Sequence, residues 1–596
     1  MLQLSISGTL QHASASAPKP AELKNFLASL PMGAPQAAIR MLLETAVAYN
    51  QSVMELELRF RVADTLSPIA RECATILADK YLHSGIPLSE QRYNWHQDVE
   101  KLYKQMAMAY EIVASQISQL PNRSEGLSHL LNHAIRKAII WLSRIVLNAY
   151  SAYVADPADV WRDLHRLYAY AEEQGVENLV LEKSENKQNA IITIQHAYQR
   201  IALLAVANPH HLMQGESQLI FNYLNKWAVG CRIIPMTEPQ VPVGTIIIDL
   251  ASDRAPYFTH HKEEVDLATT RSIEATRLLN RFNQALAKYT REQNGLSYKK
   301  ISFNERLHRN MLSRLQTVWK GRSQRKASRR PNNDKVMLTA GLSASHFFIS
   351  GEKEFLPEID EVRCHRPTGA SSGLSLMPKD YEPWRDDEAQ TTIASGVENT
   401  RVSNFAEEAS IWNKIYANKT HGRTLREEVS QYFSKNEWTQ FNAVEEGMGL
   451  TCLNPTTNRT RVGDVVCYHL LEEPGQWKLG EVRWMRDLRT FGVTMGIKKI
   501  AESAQYVAVR AVAGAGSGGE YFRALTITTD ESGVQLITPG AIYDVDTQLV
   551  LNWGDQLEYV RLTRMVETTS SFSRFEFEII DIPSHEAALI QELKNS

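Results

Sequence analysis

The prevailing periodicity of the apolar residues changes close to Asn333 in this chain of 596 residues. From 21 to about 228, apolar residues recur every three or four positions, as in the stripe Ile39-Leu42-Leu43-Ala46. That spacing is typical of amphipathic helices. After Asn333 the apolar positions alternate with a period of two, beginning with 335 to 342, which indicates strands. The sequence therefore predicts an α-helical part followed by a β part.

The amino-acid composition is that of an ordinary folded protein. Hydrophobic residues make up 43% of the chain and charged residues 22%, as in most globular domains. A chain of this length is expected to hold more than one domain. The 65 basic and 68 acidic side chains give a net charge of -3, which argues against a protein dedicated to binding nucleic acid.

The sequence predicts a cytoplasmic protein. Its five cysteines are widely scattered and form no C-x-x-C pair, as expected for free thiols in a reducing compartment. The first residues lack the basic start and the apolar core of a signal peptide. Arg144 and Asn148 interrupt the longest apolar region, 138 to 154, and a bilayer span needs ~20 apolar residues. We therefore expect a buried helix there and no direct membrane insertion.

The helical pattern predicts an all-α domain over 21–235. We expect eight to ten helices packed as an antiparallel array or bundle, with a partly degenerate helical repeat as the alternative. Residues 1–20 are rich in Ser, Ala and Pro and predict a flexible lead-in. A linking segment follows at 236–320. It is predicted to contain a strand at 243–250 and helices at 264–294 and 303–320.

The first β module is predicted over 321–510. Its first strand is expected at 335–342, with 345–349 continuing it, and its last strands are expected to end near 512. Short strands separated by turn residues suggest a small antiparallel barrel. Between them lies an insertion at about 352–410 that is poor in apolar residues, and we expect it to be mobile.

A second β module is predicted over 520–596, ending in a short helix at 585–593. The run at 514–519 matches G-x-G-x-x-G, but a dinucleotide site needs a helix to begin there. A strand pattern follows instead, from Tyr521 to Thr528. We therefore interpret this glycine-rich run as a linker between the two β modules.

The sequence contains no recognisable catalytic or metal-binding pattern. G-x-x-x-x-G-K-[ST] and H-E-x-x-H are both absent. His129 and His133 are four residues apart, but Leu130 stands where a zinc protease has Glu, and two partly buried histidines explain the pair better. We therefore expect no catalytic residues, no cofactor and no metal, and we favour binding over catalysis.

A basic stretch lies at the boundary between the two halves, from Arg322 to Pro331. It contains Arg325 and Arg329 in the spacing R-x-x-x-R. Further along come the segment Asn442-Ala443-Val444-Glu445-Glu446-Gly447, the segment Gly480-Glu481-Val482-Arg483-Trp484, and Gly496-Ile497. In this order, these segments resemble the PilZ domain family, six-stranded barrels that bind the bacterial second messenger cyclic di-GMP. The family has R-x-x-x-R before the barrel, [DN]-x-S-x-x-G on adjoining strands, and a late G-x-V-x-W strand.

The resemblance implies a ligand site made of Arg325, Arg329, Asn442 and Gly447. Guanidinium groups can bind phosphate oxygens or guanine O6 and N7 in a bidentate manner, and can stack on bases. Asn442 would offer an amide to a guanine edge, and Gly447 would allow close backbone approach. One position departs from the family, since Val444 replaces its serine and lacks the hydroxyl that would bond the ligand.

The predicted architecture is a multidomain α + β protein: an all-α array, a PilZ-like six-stranded antiparallel barrel and a small C-terminal β module. The first hypothesis is a non-enzymatic cyclic di-GMP sensor that signals to a protein partner through its helical half. The alternative is a ligand-free scaffold, in which Arg325 and Arg329 are solvated charges. A nucleic-acid binder using the basic stretch is a third hypothesis, and the net charge of -3 argues against it.

Overall fold

The computed structural model describes most of the chain. The residues described are 2–6, 19–82, 84–181, 193–294, 303–320, 330–365, 433–453, 460–512, 520–529, 533–584 and 586–587. Four predicted features lie wholly or largely outside this set: Arg325 and Arg329, most of the insertion, the glycine-rich run at 514–519, and the helix expected at 585–593.

Eight α-helices form the N-terminal domain within the described residues. They are α1 (Leu23–Ala28), α2 (Pro35–Gln51), α3 (Leu56–Leu82), α4 (Glu90–Ser118), α5 (Glu125–Ser151), α6 (Val160–Glu173), α7 (Ile194–Ala205) and α8 (Glu216–Trp227). The side chain of Ser124 caps α5 by accepting a hydrogen bond from the amide of Leu127. The consecutive residues Trp141, Leu142 and Ser143 are all buried, so this part of α5 is surrounded by protein, as its apolar sequence predicts.

The linking segment contains more strands than the sequence predicts. A strand, β1 (Arg232–Pro235), already ends the predicted all-α domain. The linking segment then contains β2 (Gln240–Val241), β3 (Ile246–Asp249), β4 (Tyr257–Phe258), β5 (Glu263–Glu264), β6 (Thr270–Glu274), α9 (Thr276–Asn294) and α10 (Phe303–Trp319). Four of these strands form an antiparallel sheet in the order β1-β6-β3-β4. The helix predicted from 264 begins only at Thr276, because Ser272 of β6 pairs with Ile234 on one side and Ile247 on the other. These two ladders hold the segment extended.

The next six long strands close into an antiparallel barrel, as the sequence predicts. They are β8 (Lys335–Ala340), β9 (Asn436–Val444), β10 (Gly447–Cys452), β11 (Val465–Leu470), β12 (Lys478–Asp487) and β13 (Val493–Ala501), and a short strand, β7 (Arg330–Pro331), precedes them. The order is β10-β13-β12-β11-β8-β9, and pairing of β9 with β10 closes the ring. Residues such as Trp438, Leu450 and Met495 fill it and are at most 2% exposed. β7 pairs with the end of β9, along the same edge as β8.

Two segments between β8 and β9 differ from the prediction. Residues 345–349 do not continue a strand but belong to helix α11 (Leu342–Ile349). Gly341, with φ +97°, turns the chain before this helix, and the apolar run buries Phe347 and Phe348. The start of the predicted insertion is also structured, since α12 (Pro357–His365) contacts the following barrel through a hydrogen bond from Asn552 to the carbonyl of Pro357.

The C-terminal module is a second closed barrel of six strands. Its strands are β14 (Gln505–Ala511), β15 (Phe522–Thr529), β16 (Gly533–Pro539), β17 (Gln548–Asn552), β18 (Leu557–Thr568) and β19 (Phe572–Ile579), in the order β14-β15-β16-β19-β18-β17. The sequence assigned β14 to the first barrel, but it pairs with β15 and β17. The boundary between the barrels therefore precedes Gln505, and the run at 514–519 connects two strands of the same barrel.

The loop from Thr460 to Asp464 contacts both neighbouring domains. Thr460 exchanges two backbone hydrogen bonds with Ile86 of the helical domain. The carbonyl of Gly463 accepts a hydrogen bond from Thr569 of the second barrel, and the carboxylate of Asp464 accepts one from Ser571. Burial raises the pKa of Asp464. The first barrel is thus fixed to both the helical domain and the second barrel by one short loop.

No helix among the described residues is both long and apolar enough to cross a lipid bilayer.

Candidate functional site

Four adjacent strands of the first barrel bring the candidate residues onto one outer face. Because paired residues on neighbouring strands share a face, the register of β9, β10, β13 and β12 defines two rows across them. The first row is Val444, Gly447, Lys498 and Glu481, and the second is Asn442, Gly449, Gly496 and Trp484. We call these eight positions the outer face. The two predicted residues that the structure describes, Asn442 and Gly447, therefore lie in neighbouring rows of it.

The glycines of the outer face are required by close packing. A Cβ at Gly496 would overlap with the indole of Trp484, and one at Gly449 would lie 2.5 Å from the ring of Phe441. A Cβ at Gly447 would overlap with the carbonyl oxygen of Ile497. The close approach that Gly447 permits is therefore to the neighbouring strand. We call Gly449 and Gly496, which have no side chains of their own, the glycine floor. The ring of Phe441 and the indole of Trp484 pack against it, and Asn442 and Trp484 stand at either end of this row.

Asn442 has an unsatisfied acceptor. Its side-chain oxygen Oδ1 is buried and has no hydrogen-bond partner among the residues that the structure describes. A Cβ at Gly449 would lie 2.8 Å from this oxygen, which places the carboxamide over the glycine floor. A buried acceptor without a partner costs about 1–3 kcal/mol. A ligand that brings an N–H group to Asn442 would recover this free energy.

The end of the basic stretch lies beside Asn442. In β7, Arg330 pairs with Ala443 and Pro331 pairs with Asn442. The side chain of Asn332 then donates a hydrogen bond to Oε1 of Gln440 at 2.8 Å. Arg325 and Arg329 lie outside the described residues. In the sequence, Arg329 directly precedes Arg330, which lies on the edge of this site.

Charged side chains surround the outer face. Lys498 is exposed, and its Cα lies 3.4 Å from where a Cβ of Gly447 would be. Beside it in the row, Glu481 is only 3% exposed and accepts hydrogen bonds from Arg483. Burial raises the pKa of Glu481, and the charge of Arg483 opposes this shift. Arg486 is also exposed on β12. The exposed cations are suitable for binding an anionic ligand.

The outer face reaches the helical domain at Trp484. The ring centroid of Trp484 is 6.4 Å from that of His211, which belongs to a short 3-10 helix, Pro209–His211. Just beyond, the amide of Asp487 donates a hydrogen bond to the carbonyl of Tyr153. The guanidinium of Arg489 lies 3.4 Å from the ring centroid of Tyr93. A ligand beside Trp484 would therefore contact the junction of the two domains.

The structure adds residues to the site that the sequence did not indicate. Gly449, Lys498 and His211 have no motif of their own, and only the strand register and the domain packing bring them together. Val444, at the position of the family serine, is half-buried beside Gly447. The described residues contain no cluster of three His, Cys, Asp or Glu side chains that could hold a metal ion.

A six-stranded antiparallel barrel with a basic segment entering beside an Asn-x-x-x-x-Gly hairpin defines a PilZ domain. Three family models match the chain in succession: the N-terminal domain of the cyclic-di-GMP receptor FimW over 21–238, its middle PilZ domain over 245–505, and the FimW C-terminal β-barrel domain over 507–580. The chain therefore belongs to the FimW family.

A curated relative spans almost the whole chain. The protein described as the cyclic-di-GMP receptor FimW of Pseudomonas aeruginosa is 23% identical over 592 residues, covering 97% of this chain and 93% of the relative. No solved structure matches the chain. The boundary between the second and third family models, near 506, agrees with the assignment of β14 to the second barrel.

Proposed function

We propose that this protein is a non-enzymatic regulatory protein that binds cyclic di-GMP on the outer face of its PilZ barrel. The observation that supports this proposal most directly is the buried Oδ1 of Asn442, which has no partner in the described part of the chain and lies beside the end of the basic stretch. The relative from Pseudomonas aeruginosa is described as a receptor for the same ligand.

The ligand chemistry suits each part of this site. Guanine carries N–H donors on its Watson–Crick edge, and one of them would satisfy Oδ1 of Asn442. The two phosphates and the guanine O6 and N7 atoms are acceptors for the forked guanidinium groups of Arg325 and Arg329. The exposed ammonium group of Lys498 provides a further positive charge next to Gly447.

Limited proteolysis tests this arrangement. If Arg325 and Arg329 close over the ligand, cyclic di-GMP should protect the bonds between 320 and 334 from trypsin, which cleaves after lysine and arginine. The mass of the first fragments would identify the protected bonds. Cleavage of this segment at the same rate with and without saturating ligand would show that the basic stretch does not take part in binding.

A ligand-free scaffold is the second candidate, and Val444 favours it. The family pattern has a serine at this position, and the missing hydroxyl would leave a polar group of the ligand unpaired. Such a loss costs about 1–3 kcal/mol, or roughly tenfold to a hundredfold in affinity. The fold would then present protein-interaction surfaces only.

Restoring the hydroxyl distinguishes the two candidates. We expect Val444→Ser to strengthen binding of cyclic di-GMP by roughly tenfold. One neutral hydrogen bond contributes about 1 kcal/mol, and the polar group of the ligand would no longer be left without a partner. Affinity can be measured by equilibrium dialysis with labelled ligand. The control is Val444→Ala, which shortens the side chain without adding a hydroxyl and should not strengthen binding. An equal effect of both substitutions would contradict a role for the hydroxyl.

We further propose that the helical domain docks a protein partner. The expected result is that a fragment containing 21–235 folds as a helical domain and retains the partner in a pull-down, because its helices pack on one another around buried side chains such as Ile39, Leu77 and Ile135. Circular dichroism would check its folding. Retention of the partner by the two barrels alone, and not by the helical fragment, would contradict this assignment.

A further inference from the structure

The second barrel has an open cup at one end, formed by side chains that face its interior. Along each strand, alternate residues point inward, and a layer that includes Val507, Leu536 and Val560 fills the middle of the barrel. Gln505, Val534 and Glu558 each lie two residues before one of these three, so their side chains also face the inside of the barrel. They and their neighbours line a cavity of about 630 Å³ that opens to solvent.

The cup combines an apolar wall with a single carboxylate. Ile579 is 70% exposed and Val534 is 47% exposed, although both lie at inward-facing positions of their strands. Trp553 and Phe577 add two aromatic rings to the lining, and Glu558 is the one ionisable side chain in it. Large apolar side chains left open to water in a barrel mouth are typical of a binding site.

The carboxylate of Glu558 is positioned by neutral donors. It accepts hydrogen bonds from the indole Nε1 of Trp553 at 3.2 Å and from the side chain of Gln556 at 3.2 Å. Within the described part of the chain, Glu558 forms no ion pair, and the cup contains no lysine or arginine. Because no neighbouring cation neutralises it, this carboxylate favours a positively charged occupant.

The described loops around the opening carry acidic residues. The described loops there, 502–504, 553–556 and 580–583, contain Glu502, Asp555 and Asp581 and no Lys, Arg or His. Glu502 is paired with Lys499 and Lys478, so Asp555 and Asp581 carry the charge of the rim. An acidic rim repels nucleic acid and anionic lipid and attracts a basic peptide.

The last described residues of the chain lie away from the cup. Glu586 is bound to Arg510, with Nη1 to Oε1 at 2.7 Å. Arg510 lies five residues along β14 from Gln505 at the opening, or about 16 Å at the rise of an extended strand. The described end of the chain therefore does not fill the cup.

We infer that the cup of the second barrel binds a segment of a partner protein in which a lysine or arginine is flanked by apolar residues. The basic side chain would reach the carboxylate of Glu558, and its apolar neighbours would pack on Ile579 and Val534. Trp553 and Phe577 can also hold a cation against their ring faces. This site is separate from the outer face of the first barrel and does not depend on cyclic di-GMP binding.

Fluorine NMR of the full-length protein labelled with 5-fluorotryptophan tests this inference. The probe is the peptide acetyl-Leu-Arg-Leu-Arg-Leu-amide, and its acidic counterpart, with Glu in place of Arg, is the control. We expect the basic peptide to shift the Trp553 resonance, assigned by its loss in Trp553→Phe, in a saturable manner. The acidic peptide should leave this resonance unchanged. A shift of equal size with both peptides, or none with the basic one, would overturn the inference.

Two substitutions locate the binding. Glu558→Gln is expected to lower the affinity for the basic peptide about tenfold or more, because it removes the charge from a charge-assisted hydrogen bond. Ile579→Ser should weaken it as well, and this exposed side chain can be changed without disturbing the core. Glu578→Gln removes the same charge from the adjacent residue of β19, which is not part of the cup, and should leave the affinity unchanged. Equal affinities of Glu558→Gln and the parent protein would contradict the proposed site.

Discussion

Replacing Arg329 by alanine is expected to weaken binding of cyclic di-GMP by about tenfold to a hundredfold. The substitution removes a guanidinium group whose charge-assisted hydrogen bonds to phosphate or guanine each contribute roughly 1.5–3 kcal/mol. The position is one residue from Arg330, which pairs with β9 beside Asn442. Equilibrium dialysis with labelled ligand measures the change directly.

Arg322→Ala is the matched control for this substitution. It removes the same charge from the same basic stretch, but Arg322 lies outside the R-x-x-x-R spacing of Arg325 and Arg329. We expect its effect on affinity to be much smaller. Small and equal effects of Arg322→Ala and Arg329→Ala would instead indicate a diffuse basic patch that attracts the ligand without a defined contact.

Replacing Arg510 by methionine is expected to destabilise the second barrel by about 3–5 kcal/mol, the usual cost of removing one partner from a buried ion pair. Arg510 is 8% exposed and binds two carboxylates, those of Glu361 in α12 and Glu586 near the C-terminus. Glu361 also accepts a hydrogen bond from Tyr521 at 2.9 Å. Without the guanidinium group, two largely buried carboxylates would face each other.

Hydrogen exchange of the barrel amides, measured by mass spectrometry, is the suitable readout because a protein with several domains need not unfold in one step. The amides of β14 and β17 should exchange faster in Arg510→Met, and release of α12 should follow. The control is Arg564→Met, which removes the arginine of an exposed pair with Glu576 and should leave the exchange unchanged. Unchanged exchange in Arg510→Met would show that the cluster does not hold α12 and the C-terminus on the barrel.

The sequence predicted the division into a helical half and two β modules because periodicity reports directly which faces of a segment are buried. It could not predict which barrel a strand joins. The alternation of β14 is compatible with either barrel, and only its pairing with β15 and β17 assigns it to the second. The apolar run at 345–349 was misread as strand because a short apolar segment fits a buried helix equally well.

The candidate site could be predicted only in part, because strand pairing also decides which of its residues lie side by side. The order of motifs indicated Asn442 and Gly447, but their position relative to Trp484 depends on register. The register shifts between Gly449 and Leu450 and again between Val482 and Trp484. The second irregularity places Trp484 opposite Gly496 and so across two glycines from Asn442, and no local pattern in the sequence encodes this alignment.

The measurement that tests the central claim most directly is a calorimetric titration of the purified full-length protein with cyclic di-GMP. Binding on the outer face predicts a saturable heat in the parent protein and a tighter isotherm in Val444→Ser. It also predicts that most of the affinity is lost in Arg329→Ala. No binding in either the parent protein or Val444→Ser would contradict the claim and would support a ligand-free scaffold with the same fold.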